Sequence, residues 1–150
     1  MKSATTDLRA IAWPVVIGVA ARLSNVSAKM VRHYESLGLL PGVARTDNGY
    51  RQYTESDVRT LQFIRRSRDL GFSMAEIAEL VDLWNNRQRA SASVKRIAQK
   101  HVDNLSERIE AMQDMQRTLV ALLASCHGDD RPDCPILDDL ARAVGSLPIA

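Results

Sequence analysis

The chain has 150 residues, of which 45% are hydrophobic, 25% charged and 5% aromatic, and its net charge is +2. This is the composition of a folded rather than a disordered chain, and its frequent Ala, Leu, Arg, Glu and Gln favour helices over a sheet-rich core. The first 70 residues hold 11 Lys and Arg against 6 Asp and Glu, whereas the remaining 80 hold 9 against 12. A basic amino-terminal half suits a polyanionic partner such as DNA, although a solvated basic face would give the same count.

An apolar run, AIAWPVVIGVAA, occupies residues 10–21. It is too short to span a bilayer, and the alternative is the hydrophobic part of a secretory signal. Pro14 interrupts the run, and its residues from Val16 onward are needed by the helical pattern that follows. We therefore expect a cytoplasmic protein whose thiols stay reduced.

Residues 16–41 predict two short helices around a tight SNVS turn. Ser27 is suited to cap the second helix, because its hydroxyl can accept from a backbone N–H of the first turn. Val31 and Tyr34 share one face of that helix, and Gly38 is suited to end it. This is the spacing of a helix-turn-helix motif.

The segment VARTDNGYRQYT, residues 43–54, predicts a small two-stranded wing, because its central DNG tolerates a turn with positive φ. Two further helices follow the wing. Their predicted starts are Thr54 with Asp57 and Ser73 with Glu76, since each pair can cap the backbone reciprocally.

The stretch from about Val94 to Ser125 contains neither Gly nor Pro and predicts one long helix. At 1.5 Å per residue it is roughly 45 Å long, so a second copy of the chain is its natural partner; the alternative is a core helix in a monomeric bundle. Gln116 is a polar seam residue that could fix the register of the pair. The seam positions alternate in steps of four and three, as in a heptad repeat: Ala98, Val102, Leu105, Ile109, Met112, Gln116, Leu119 and Leu123.

The only cysteines, Cys126 and Cys134, lie in CHGDDRPDC, directly after the long helix. A metal-binding loop, a disulfide and two unrelated thiols are all compatible with this spacing. Thiolates are soft ligands that favour Cu(I), whereas structural zinc usually needs four ligands. His127 is an alternative ligand, and the oxygens of the neighbouring aspartates suit Cu(I) poorly. The segment PILDDLARAV after the loop predicts a short amphipathic turn or helix.

Together these segments resemble the MerR family of transcriptional regulators over about residues 16–137. The resemblance rests on IGVAARLSNVSAKMVRHYESLGLLP, the NGYRQY wing and the second helix pair, which occur in the family's order. The C-x7-C loop resembles the copper-responsive branch. The divalent-metal branches carry a third cysteine at the start of the long helix, where this chain has Ser91, and the iron–sulfur branch needs four cysteines.

The resemblance implies a mainly α fold: a winged helix-turn-helix DNA-binding domain, a long antiparallel coiled-coil dimerisation helix and a short metal-binding loop. We expect an N-terminal extension at 1–14, the DNA-binding domain at 15–90, the dimerisation helix at 91–125, the metal-binding loop at 126–137 and a tail at 138–150.

Candidate DNA-binding residues lie in the second helix, the wing and the third helix. Lys29 and Arg32 are suited to base reading, and Tyr34 either packs in the core or contacts a phosphate. The resemblance implies DNA-backbone contacts for Arg51 and Tyr53. The full set is Lys29, Arg32, His33, Tyr34, Arg45, Asn48, Tyr50, Arg51, Tyr53, Arg65 and Arg68.

The resemblance also implies a homodimer on palindromic promoter DNA, with Cu(I), or alternatively Ag(I) or Au(I), held by Cys126 and Cys134. Metal binding would bend and untwist the promoter so that RNA polymerase can engage it, activating a metal efflux or detoxification gene. Alternatives are a regulator of the same fold that senses another soft monovalent ion, an organic ligand or thiol oxidation, and a coiled-coil adaptor without a specific DNA site. An enzyme is not expected, because Cys126 and His127 lack an orienting third group.

Overall fold

The computed structural model describes residues 7–41, 43–45 and 49–142. It is mainly helical with a small sheet, which confirms the predicted fold class. The chain divides into two units, residues 1–97 and 98–150. The strands and helices are β1 (Val15–Val16), α1 (Ile17–Ser24), α2 (Ala28–Ser36), β2 (Ala44–Arg45), β3 (Arg51–Tyr53), α3 (Glu55–Asp69), α4 (Met74–Asn85), α5 (Ser91–Ser125) and α6 (Pro135–Ala141).

The helices α2, α3 and α4 begin where a side chain caps the backbone, whereas α1 begins after Val16 without such a cap. The Ser27 hydroxyl accepts from the Met30 backbone N–H at 3.2 Å and starts α2. The predicted capping box of α3 is confirmed, because Thr54 accepts from the Asp57 backbone while the Asp57 carboxylate accepts from the Thr54 backbone. The same reciprocal pair, Ser73 and Glu76, starts α4.

The sheet has three strands, in the order β1-β3-β2, rather than the two that the sequence predicts. Both neighbours of β3 are antiparallel to it, with Val15 opposite Tyr53 and Ala44 opposite Gln52. The prediction missed β1 because a strand of two residues is too short to show an alternating pattern. The extra strand ties the start of the helix-turn-helix to the wing.

The core of the first unit lies between α1, α2, α3, α4 and the sheet. Asn25, at φ 56°, provides the left-handed turn that lets α1 and α2 fold against each other. The largest fully buried side chains are Tyr34, Tyr53, Leu61, Ile64, Ile77, Val31 and Val58. Aliphatic and tyrosine side chains therefore fix α2 and the wing on one scaffold.

The segment before β1 packs onto this core, although the sequence predicts an extension outside the winged domain. Leu8 is buried, and Ile11 and Trp13 are partly buried against the same cluster. The indole Nε1–H of Trp13 donates to the Leu8 carbonyl at 3.3 Å. The described part of this segment is therefore packed against the DNA-binding fold.

In the second unit α5 continues from the first, as a helix of 35 residues and about 52 Å. The loop that follows leads to α6, the predicted short helix. Five apolar side chains of the predicted seam are more than half exposed in the single chain: Val102, Ile109, Met112, Leu119 and Leu123. Among the described residues, no helix combines the length and apolarity that crossing a membrane requires.

We predict that Leu8→Ala lowers the free energy of unfolding by about 2 kcal/mol, because it leaves a cavity in the hydrophobic core of the first unit. Urea denaturation followed by circular dichroism measures the loss. Leu37→Ala is the matched control, because Leu37 is half exposed and should cost less. Equal losses in the two variants would contradict the packing of the amino-terminal segment.

Candidate nucleic-acid interface and metal loop

The helix α2 presents three of its predicted DNA-binding side chains to solvent and buries the fourth. Lys29, Arg32 and His33 are exposed, and Lys29 lies in the first turn, where a recognition helix approaches base edges. Tyr34 is only 2% exposed. Of the two roles considered for Tyr34, burial therefore supports packing.

Two arginines of α3 lie beside the helix-turn-helix. Arg68 donates from Nη1 to the Tyr34 hydroxyl at 2.8 Å. Arg65 donates from Nη1 to the Asn25 carbonyl at 2.6 Å and pairs with Asp69 at 3.2 Å. Both arginines line one cleft with the start of α2, so they lie on the same side of α3.

The wing and α2 form the walls of a second cleft. It is lined by Ile17, Arg32, Gly49, Tyr50 and Arg51. Tyr50 is 68% exposed, so its ring lies at the surface of the wing. The cleft brings two guanidinium groups from different elements to one surface, an arrangement suited to an anionic backbone.

Two predicted wing residues cannot be placed at this surface. Arg45 is described as the end of β2, without its side chain, and Asn48 lies outside the described residues. Their predicted DNA contacts therefore stay predictions.

Tyr53 lies beneath the wing rather than on its surface. Its side chain is fully buried, and its hydroxyl donates to Oε2 of Glu35 at 3.1 Å. Burial, together with the Glu35 carboxylate, raises the pKa of Tyr53 to about 12, although Arg51 and Arg32 act in the opposite direction. A buried hydroxyl already bonded to a carboxylate supports the wing from inside and is poorly placed to meet a DNA phosphate.

Glu35 is the functional candidate that sequence reasoning missed. Its carboxylate also pairs with the Arg51 guanidinium, with 3.2 Å between Oε1 and Nε, so one side chain of α2 holds two residues of β3. Its partners lie 16 and 18 residues away along the chain, beyond the reach of local patterns. The available signal was an acidic residue on an otherwise basic helix.

The two cysteines lie at the two ends of the loop between α5 and α6. Cys126 directly follows α5, and its backbone N–H donates to the Leu123 carbonyl at 3.2 Å. Cys134 is the residue before Pro135, the first of α6. Both are free thiols and half-buried. Over the described ranges, no group of three or more His, Cys, Asp and Glu is arranged to hold a metal ion.

The middle of the loop is organised by an acidic and a basic residue. The Asp129 carboxylate accepts from the Arg131 backbone N–H at 3.0 Å and from its Nε at 2.7 Å. These bonds lower the pKa of Asp129. Gly128 has φ 64°, which allows the loop to reverse direction. The amide of Arg131 is thus committed to Asp129.

We predict that the stability of the protein falls as pH rises from about 10 to about 12, in part through Tyr53. The pKa of Tyr53 in the folded state exceeds its unfolded value of about 10, so the folded state holds the phenol proton more tightly. The stabilisation that results is fully present below about pH 10 and is lost above about pH 12. Tyr53→Phe should remove a phenol absorbance transition near pH 12 and flatten the pH dependence of urea unfolding. A transition near pH 10 assigned to Tyr53 would contradict the buried bond to Glu35.

Comparisons with known proteins agree with this arrangement. The family described as MerR HTH family regulatory protein matches residues 15–83, and the family described as MerR, DNA binding, matches residues 58–122. Heavy metal-dependent transcription regulator 2 of Rhizobium meliloti is 52% identical over 131 residues, which are 87% of this chain and 89% of that protein. The transcriptional regulator CueR of Escherichia coli O6:H1 is 40% identical over 125 residues, 83% of this chain and 93% of the relative.

A solved structure extends the likeness along the chain. The transcription regulator PbrR691 from Ralstonia metallidurans CH34, in complex with lead(II), has a TM-score of 0.75 at 30% identity, covering 85% of this chain and 99% of that one. These relatives are transcriptional regulators and not enzymes, as the sequence predicts. The chain belongs to the MerR family of helix-turn-helix transcriptional regulators.

Proposed function

We propose that the protein is a dimeric, Cu(I)-responsive regulator that activates a metal efflux or detoxification promoter by distorting its DNA. The observation that carries the proposal is a pair of free thiols, Cys126 and Cys134, at the ends of the loop that follows the 35-residue helix α5. The loop is the sensor, and the winged domain is the DNA reader.

DNA recognition rests on the exposed cations of the first unit. Lys29 and Arg32 on α2 read base edges in the major groove, while Arg51 of the wing and Arg65 and Arg68 of α3 meet the sugar–phosphate backbone. Base contacts then provide sequence selectivity, and the backbone contacts fix the register.

Dimerisation rests on the seam of α5. Aliphatic side chains that are more than half exposed at heptad spacing, such as Ile109 and Leu119, are unfavourable in water and are removed from it when two copies pair. We propose an antiparallel pair, in which Gln116 fixes the register. The two DNA-binding domains of such a dimer are related by a two-fold axis, which matches the symmetry of a palindromic operator.

The choice of Cu(I) rests on the chemistry and number of the ligands. Two thiolates suit a soft, monovalent d¹⁰ ion in two-coordinate geometry, whereas zinc usually takes four ligands. A relative named as heavy metal-dependent is 52% identical, which supports a metal effector. The sequence departs from the divalent-metal branches of the family, which carry a third cysteine at the position where α5 begins with Ser91. Ag(I) and Au(I) share the softness of Cu(I) and are the alternatives.

Activation requires the metal to bind one conformation of the dimer more tightly than another, because equal affinities would shift nothing. The loop adjoins the carboxyl end of α5, and a bis-thiolate bridge between Cys126 and Cys134 would constrain where α6 starts. We propose that this constraint favours the conformation in which the bound promoter is bent and untwisted, so that RNA polymerase can engage it.

We predict that the reduced protein takes up one Cu(I) per chain in anaerobic competition with a chelator. A Cys126→Ser, Cys134→Ser double variant should lose this uptake, because it removes both thiolates, and Zn(II) should bind far more weakly. His127→Ala is the control and should keep the uptake, since the two sulfurs complete the coordination. Weak or cysteine-independent uptake would contradict the metal assignment and favour an organic ligand or thiol oxidation.

We predict that Arg32→Ala weakens binding to the operator by about 1–3 kcal/mol and relaxes base selectivity, because it removes a base contact. Arg59→Ala is the matched control, since Arg59 is an exposed arginine of α3 paired with Glu55 at 2.8 Å. Fluorescence anisotropy with a duplex selected from a random library measures both affinities. Equal losses in the two variants would contradict a specific role for Arg32.

A further inference from the structure

The side chain of Glu35 joins the recognition helix to the wing. Its two carboxylate oxygens are used separately: Oε1 pairs with Arg51 Nε at 3.2 Å, and Oε2 accepts from the Tyr53 hydroxyl at 3.1 Å. The side chain of Glu35 is 19% exposed and that of Arg51 is 32% exposed. A partly buried ion pair of this kind is screened less by water than a surface pair.

The two residues that Glu35 holds differ in their surroundings. Tyr53 is fully buried and lies opposite Val15 of β1, so its ring and hydroxyl are fixed by the core. Arg51 lies two residues earlier in β3 and lines the cleft against α2. Tyr53 therefore anchors the carboxylate, and the anchored carboxylate restricts the guanidinium of Arg51.

In the cleft, the guanidinium of Arg51 lies close to α2. Arg32 lies one helical turn before Glu35 on α2 and lines the same cleft as Arg51 and Tyr50. A negative charge next to two arginines weakens nonspecific attraction to DNA. A fixed direction of Arg51 offsets this cost when it contributes more to recognition than one extra unit of positive charge.

We propose that Glu35 is a positioning residue for DNA recognition, which sets Arg51 of the wing against α2 so that the backbone contact and the base-reading side chains engage the same half-site in register. This inference rests on the proposed function, because it assumes that α2 and the wing bind one duplex. Glu35 itself does not touch DNA. It acts through Arg51, and Tyr53 fixes it from the side of the core.

The test is the ratio of affinities for the selected operator duplex and for an unrelated duplex at the same salt concentration. Glu35→Gln keeps the size of the side chain and can still accept from Tyr53, but it no longer pairs ionically with Arg51. We expect the ratio to fall about tenfold, because operator binding weakens while nonspecific binding, which depends on total charge, stays the same or strengthens. Tyr53→Phe, which keeps the ring, should lower the ratio in the same direction by less.

Glu55→Gln is the matched control. It removes the same charge from the same unit and breaks an ion pair with Arg59 at 2.8 Å, but this pair lies on the exposed side of α3. Its ratio should equal that of the wild type. A general charge effect would shift the ratio alike in both variants and would overturn the proposal.

Two other results would also overturn it. An unchanged ratio in Glu35→Gln, with a wild type that discriminates well, would show that Arg51 needs no positioning. A parallel loss of both affinities, together with a lower melting temperature, would show a structural role alone. A wild type that fails to discriminate between the duplexes would instead contradict the proposed function, and the inference would fall with it.

Discussion

The exposed apolar seam of α5 is the constraint on which the other parts of the molecule depend. From Val102 to Leu123 it runs for about 30 Å, and five of its apolar side chains are more than half exposed in the single chain. Such a surface is stable in water only when it is covered. In the proposed dimer, pairing of two chains along α5 would cover this seam and set the distance between the two DNA-binding domains.

The two units carry different functional groups. The first holds the basic recognition surface, in which a small core fixes α2, the wing and α3 relative to one another. The second holds the thiols next to the end of α5. A metal that is to move the dimer from roughly 1% to 99% of the activating state must bind that state about 10⁴-fold more tightly. In the function proposed above, ligation by Cys126 and Cys134 would fix the relative positions of the two ends of the loop, which is one way to produce such a difference.

Much of the fold could be predicted because its signals are local. Ser27, the Thr54–Asp57 pair and the Ser73–Glu76 pair cap helices through bonds that span three residues, and the structure contains all of them. The long helix could also be predicted from the sequence, since this stretch lacks Gly and Pro and its seam positions follow one heptad repeat throughout.

The features that sequence reasoning missed depend on contacts between distant residues. β1 exists because Val15 lies opposite Tyr53, and two residues carry no pattern of their own. Tyr53 was expected to contact the DNA backbone, yet it is fully buried, because a tyrosine ring can pack in a core while its hydroxyl keeps a hydrogen bond. For Tyr34 the sequence left packing and a phosphate contact open, and its burial supports packing. The role of Glu35 emerges only when α2 and β3 are brought together.

The most direct test is single-round transcription with purified RNA polymerase, from a promoter that carries the selected operator between its two recognition elements. Operator occupancy is measured in the same reactions by footprinting. We predict that Cu(I) raises transcript yield while occupancy stays the same, because the metal changes the shape of the bound DNA rather than releasing it. Unchanged transcription at full occupancy, or activation only when the protein leaves the operator, would contradict a metal-driven distortion of promoter DNA.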